Sequence, residues 1–175
     1  MLKTLYLIRH AHPQQNTGIA YDRVPGPPLS DAGKEEANAA ALYLGQCNIQ
    51  QLYASPLERT QQTAQAIADR NAIPLQTEPL LAEHRLDEQF DKVKERVGAL
   101  MARVDAENAE IVGFVTHGSP IKALLQMLSG GKLDLSKTVF DSGNHAPWAG
   151  VWQAERVGEA WSLELVFTPA MVKTL

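Results

Sequence analysis

Leu5-Tyr6-Leu7-Ile8-Arg9-His10-Ala11 decides how the rest of the chain is read. An unbroken apolar run suits a strand covered on both faces. The change to Arg9-His10 marks the point where that strand must end. A second stretch repeats the design: Ile111-Val112-Gly113-Phe114-Val115 runs into Thr116-His117-Gly118. Two histidines thus stand at the ends of two core strands, the first beside an arginine. A guanidinium binds an anion and an imidazole can attack it, so the pairing points to phosphate.

Outward from these strands, apolar patterns alternate between strand and helix. Residues 11–29 have no period and hold Gly18, Pro25, Gly26, Pro27 and Pro28, which predicts a long loop of functional size. A helix is expected from Ser30 as N-cap, with Ala37, Ala40, Ala41 and Leu44 inward. Leu52-Tyr53-Ala54 reads as a short strand. Ser55-Pro56-Leu57-Glu58 then reads as a capping box opening a helix, with Leu57, Ala64, Ile67 and Ala68 inward. Another short strand is expected near residues 74–77, and a polar loop over 83–88. Phe90, Val93, Val97, Leu100, Met101 and Val104 mark an amphipathic helix. After the 111–115 strand, Ser119-Pro120 is expected to cap a helix that buries Ile121, Leu124, Leu125 and Leu128. Residues 148–155 and 161–167 predict an antiparallel hairpin turning at 157–159, whose outer edge offers a route to a homodimer. The alternation predicts an α/β fold with a mostly parallel sheet.

Bulk properties narrow the function. A chain of 175 residues, 45% hydrophobic, fits one domain spanning residues 1–175 with a real core. The net charge of -4 implies no broad basic face, so no nucleic-acid partner is expected. Cys47 is the only cysteine, which leaves no internal disulfide and no cysteine-only zinc site. No apolar run is long enough to span a bilayer and the first residues lack a signal-peptide pattern, so no membrane partner and a cytoplasmic location are expected.

Three strand-to-helix junctions carry polar signals: Arg9-His10, Ser55 with Arg59, and His117-Gly118. In open α/β sheets such junctions gather at the carboxyl ends of the strands. Helix N-termini there add free N–H groups and partial positive charge. Two arginines, two histidines and those helix ends make a cradle for a tetrahedral dianion. The chemistry that fits is attack by one histidine on phosphorus, with cations holding the equatorial oxygens and a separate acid protonating the leaving oxygen. This chemistry requires neither a metal nor a cofactor.

At this point the sequence resembles the histidine phosphatase superfamily, also called the phosphoglycerate mutase-like family. The residues that carry the resemblance are Leu7-Ile8-Arg9-His10 with Asn16, Pro28-Leu29-Ser30 with Gly33, Ser55-Pro56-Leu57-Glu58-Arg59-Thr60 with Thr63-Ala64, Leu81-Ala82-Glu83, and Thr116-His117-Gly118. The resemblance implies a three-layer α/β/α sandwich. It implies His10 as nucleophile and Glu83 as proton donor. Arg9, Arg59, His117 and Asn16 would bind phosphate. It implies a phosphatase acting on a small phosphorylated metabolite, such as α-ribazole phosphate or a nucleotide, or on a phosphoprotein. The chain departs from the family pattern at three places: Ala11 replaces the glycine usual after the nucleophile, His12-Pro13 replaces an acidic residue and threonine, and His84-Arg85-Leu86-Asp87-Glu88 replaces the Gly-Trp or Glu-Gly pattern usual after the acid. Typical mutases carry a long insertion between acid and second histidine. Here Glu83 and His117 lie only 34 positions apart, which favours hydrolysis over phosphate exchange.

Alternatives remain at individual residues. Asp87, Glu88 or Glu78 can stand in for Glu83 as acid. His12 is expected near substrate, and His84 and His145 in local hydrogen bonds. Trp148, Trp152 and Trp161 are expected to pack the last sheet edge, with room for one at the pocket border. His10 and His12, two apart at a strand end, can be read as a metal pair. A non-catalytic phosphate binder on the same fold would need neither His10 nor Glu83.

Overall fold

A computed structural model describes residues 1–169. Its centre is one six-stranded sheet made of β1 (Thr4–Arg9), β2 (Gln51–Ala54), β3 (Leu75–Thr77), β4 (Ile111–Thr116), β5 (Val151–Val157) and β6 (Ala160–Phe167), in the order β3-β2-β4-β1-β5-β6. The first four pair in parallel, and β5 and β6 join antiparallel, with β6 as the outer strand. The sheet is therefore mostly parallel, as expected.

Four helices cover it: α1 (Asp31–Leu44), α2 (Glu58–Asn71), α3 (Phe90–Asp105) and α4 (Gly118–Leu128). Successive strand residues face opposite layers. Tyr6 and Ile8 pack with Ala37, Ala40, Ala41, Leu44, Ala64 and Ile67 from α1 and α2. Leu5 and Leu7 pack with Val93, Val97, Leu100, Ile121 and Leu124 from α3 and α4. Each of these buried leucine, isoleucine and valine side chains contributes about 1.5–3 kcal/mol by leaving water. The result is the three-layer sandwich that the resemblance implied.

Several boundaries move for identifiable reasons. Ser30 does cap α1, accepting a hydrogen bond from the Gly33 N–H. Ser55 does not cap α2: the helix starts at Glu58 behind an extended Leu57. The Glu58 N–H is taken instead by the Pro25 carbonyl at 2.7 Å, and the Ser55 hydroxyl is drawn toward His117. Similarly α4 begins at Gly118, one residue before the Ser119-Pro120 pair, with His117 in extended conformation as the cap residue. Pro120 fits inside the first turn, where its missing N–H has no partner to lose. The hairpin turns at Gly158-Glu159, where Gly158 takes φ +63°. Its first strand starts at Val151, so Trp148 belongs to the segment ahead of it.

Candidate active site

The pairing of β1 with β4 sets the site. Arg9 lies in register with Thr116, so His10 and His117 leave adjacent strands at the same level. Their ring centroids are 5.0 Å apart. Both are buried, at 1% and 0% exposure. Arg59, in the first turn of α2 and fully buried, lies between them. Its Nε–H donates to His10 Nε2 at 3.2 Å, and its Nη2 lies 3.1 Å from His117 Nδ1.

The tautomer of His10 follows from its other nitrogen. Nδ1 lies 2.8 Å from the Ala11 carbonyl, which can only accept, so Nδ1 carries the proton. The Nε2 lone pair is left facing the arginine. Burial, reinforced by the charges of Arg59 and Arg9, holds the His10 pKa well below its ordinary value, and the ring is neutral near pH 7. The same causes, burial first and Arg59 second, lower His117. His117 Nε2 lies 2.8 Å from the Ser55 hydroxyl, which explains why that serine does not serve the helix.

Glu83 closes the far side. Its Oε2 is 3.4 Å from His117 Nδ1 and 3.6 Å from Arg59 Nη2. Burial pushes its pKa up, against the opposing pull of the His84 N–H and Arg59. The loop that carries it is fastened at two points. The Thr116 hydroxyl donates to the Leu81 carbonyl at 2.6 Å. Arg96 of α3 donates to the Leu80 carbonyl and, at 3.4 Å, to the Glu83 carbonyl. Arg96 also pairs with Glu88 at 2.9 Å, and Glu78 pairs with Arg103. Asp87 pairs with Arg85 on the exposed side of the loop. Of the four acidic alternatives, Glu83 alone among the described residues reaches the histidines.

Arg9 is 2% exposed and approaches from the α3–α4 side. Asp141 binds it with both carboxylate oxygens, at 2.6 and 2.8 Å. The Trp148 ring lies over its guanidinium carbon at 3.6 Å. Tyr21 covers Arg59 in the same way at 3.9 Å. Trp148 and Tyr21 also flank the His10 ring, with centroids 5.1 and 6.4 Å away. Two buried donor atoms, Arg9 Nε and Arg59 Nη1, have no hydrogen-bond partner among the described residues. Unspent donors beside a neutral imidazole are what an arriving oxyanion requires.

The remaining expected residues fall outside this set. Asn16 is exposed on the 11–29 loop with φ +54°, and no hydrogen bond among the described residues ties its side chain to the histidines. His12 hydrogen-bonds Ser30 across 3.1 Å and meets the Trp148 ring edge-on at 5.4 Å. His84 and His145 make local contacts to the Glu88 and Thr138 carbonyls. Asp141, Tyr21 and Arg96 had no signal in the sequence that tied them to the site, and Ser55, marked there as part of a site junction, was expected as a helix cap rather than as the partner of His117.

His10, Glu83 and His117 present ligand atoms within 4.8 Å of one another. An ion-binding reading must contend with Arg59, whose guanidinium already contacts all three. A fixed positive charge in the middle of the cluster repels a cation and attracts an anion. His12 turns toward Ser30, away from any shared ligand position with His10.

Comparison with known proteins agrees with this geometry. Residues 5–88 match the family model of the histidine phosphatase superfamily (branch 1). An uncharacterized protein of Mycobacterium tuberculosis (strain ATCC 25618 / H37Rv) is 40% identical over 79 residues, 45% of this chain. That match spans only 39% of the relative's own length. A 2,3-bisphosphoglycerate-dependent phosphoglycerate mutase of Thermoplasma acidophilum is 27% identical, across 71% of this chain and 75% of its own. Among solved structures, the mycobacterial glucosyl-3-phosphoglycerate phosphatase superposes with a TM-score of 0.77 at 20% identity. The superposition covers 93% of this chain and 97% of that one, and it speaks for the fold. The chain is thus similar in sequence, over residues 5–88, to the histidine phosphatase superfamily, and over most of its length it shares the fold of that solved phosphatase.

Proposed function

We propose that the protein is a metal-independent phosphomonoesterase that works through a phosphohistidine at His10. The observation that carries this reading is the His10 ring: proton on Nδ1, lone pair on Nε2, and Arg59 Nε 3.2 Å in front of that lone pair. A phosphoryl group entering there meets the nucleophile and takes the arginine donors in place of the imidazole. Nε2 bonds to phosphorus as the ester P–O bond breaks. Arg9, Arg59 and His117 hold the three equatorial oxygens as charge shifts onto them. Asn16 joins them where the 11–29 loop closes over the substrate. Glu83 gives its proton to the leaving oxygen, then takes one from the water that attacks the phosphohistidine. The product is inorganic phosphate, and the enzyme returns to its first state.

The substrate is a small phosphorylated metabolite or a phosphoprotein. The similarity to a phosphoglycerate mutase favours a second reading, transfer of the phosphoryl group back to a substrate hydroxyl. The short step from Glu83 to His117 leaves little chain to shield the intermediate from water, which favours hydrolysis.

The test is turnover of an aryl phosphate followed by release of inorganic phosphate, together with isomerisation of phosphoglycerate. Hydrolysis is expected, and His10→Ala is expected to lower it on the order of a thousandfold or more. Near-parental turnover in that variant would refute the mechanism. Isomerisation outpacing release would select the mutase reading.

A further inference from the structure

Arg9 has five N–H groups in a fixed fork, and their disposition in this structure is uneven. Nη1 donates to Asp141 Oδ1 at 2.6 Å and to the Ala146 carbonyl at 2.8 Å. Nη2 donates to Asp141 Oδ2 at 2.8 Å. Asp141 therefore grips the guanidinium end-on, through the edge formed by the two Nη atoms. What remains is the other edge, formed by Nε–H and the second Nη2 hydrogen. Nε is buried and has no partner among the described residues.

Each of these constraints comes from one short segment. Asp141 opens a 3-10 turn at Asp141–Gly143, Ala146 supplies its carbonyl, and Trp148 lays its ring on the guanidinium face at 3.6 Å. A buried guanidinium needs a counter-anion, and Asp141 supplies one from within the chain. A flexible side chain is thereby fixed in plane and in rotation before any ligand arrives.

We propose that Asp141 is a positioning residue: by holding Arg9 end-on it keeps the Nε/Nη2 edge free to receive two phosphoryl oxygens. This rests on the phosphatase reading of the site. It also assigns a task to the 138–149 segment, which contains no nucleophile, acid or phosphate ligand of its own. An opposite role is chemically conceivable, in which the carboxylate competes with phosphate for the arginine. The two roles predict opposite signs.

The experiment is a double-mutant cycle on Asp141→Asn and Arg9→Gln. It is read by calorimetric binding of inorganic phosphate and by kcat and KM for an aryl phosphate. In Asp141→Asn the Kd for phosphate is expected to rise about tenfold. KM is expected to rise in step while kcat stays within about threefold, because the arginine contact is present in both ground and transition states. In the Arg9→Gln background the Asp141 substitution is expected to add nothing, since its effect passes through Arg9. Asp141→Glu, which keeps the carboxylate, is expected to recover part of the loss and covers the case in which the asparagine variant folds poorly. Tighter phosphate binding in Asp141→Asn would overturn the proposal in favour of competition. Additive losses in the double variant would overturn it in favour of a purely structural role. If the parent binds phosphate but Asp141→Asn binds it equally well, only this proposal fails. If the parent neither binds phosphate nor turns over ester, the reading of the site fails with it.

Discussion

At the scale of single residues, burial pushes His10 and Glu83 in opposite directions, and their roles follow. Loss of hydration favours the uncharged form of each: an imidazole without its proton and a carboxyl group with one. The nucleophile gains its lone pair as pH rises through its lowered pKa. The acid loses its proton as pH rises through its raised one. For alkyl phosphates, whose leaving oxygen needs a proton, kcat/KM is expected to fall as pH climbs through the raised Glu83 pKa. Aryl phosphates with good leaving groups are expected to lack that limb. Glu83→Gln should cost alkyl esters about 10²–10⁴-fold and good aryl esters far less, as pH–rate profiles of the two substrate classes will show. Equal losses for both would move the acid elsewhere. His10, His117, Arg9 and Arg59 stood out because each ends or follows a strand or opens a helix at a position the pattern itself marks, whereas Glu83, in a polar loop, was picked out only by the resemblance. Asp141 and Tyr21 were not. They reach the site from segments without a period, across 132 positions in the case of Arg9 and Asp141, and nothing local reports such a contact.

At the scale of elements, the sequence pattern located the six strands and four α-helices of the described residues, because all but β3, which buries no face, show the period of a buried face in the sequence. Cap residues were harder to read. Ser30, Ser55 and Ser119 look alike in sequence, yet Ser30 caps its helix, Ser55 faces His117, and Ser119 lies inside the first turn of α4. Which backbone donor a hydroxyl serves depends on what else is within reach, and that is tertiary information. The start of α1 shows how tightly an element end can be tied to the site. A Cβ on Gly33 would stand 2.0 Å from the His12 carbonyl oxygen, which already accepts from the Ser30 N–H and hydroxyl. Gly33→Ala must therefore push α1 away from the strand that delivers His10. We expect a loss of about 1–3 kcal/mol, seen as a melting point lower by roughly 3–10 °C, with a fall in turnover. An unchanged melting point would mean that the loop yields freely.

At the scale of the whole molecule, stability and site chemistry meet in the same buried rings. Above about pH 6.5 an unfolded histidine is neutral, as His10 and His117 are in the folded state. Below it the unfolded chain takes up protons that the folded rings refuse. Stability is expected to decline as pH falls from 6.5, by at most about 1.4 kcal/mol per pH unit for each ring. Thermal melts from pH 7 to pH 5 test this, and His10→Ala should flatten part of the slope. The sheet order carries a different consequence. Among the described strands β1 pairs with β4 and β5, and β4 stands between β1 and β2. A nascent polypeptide emerging from the ribosome thus finds no seat for its opening strand until synthesis has passed residue 116. Until then the nucleophile dangles on an unzipped ribbon, and the insertion of β4 both seats it and brings His117 beside it.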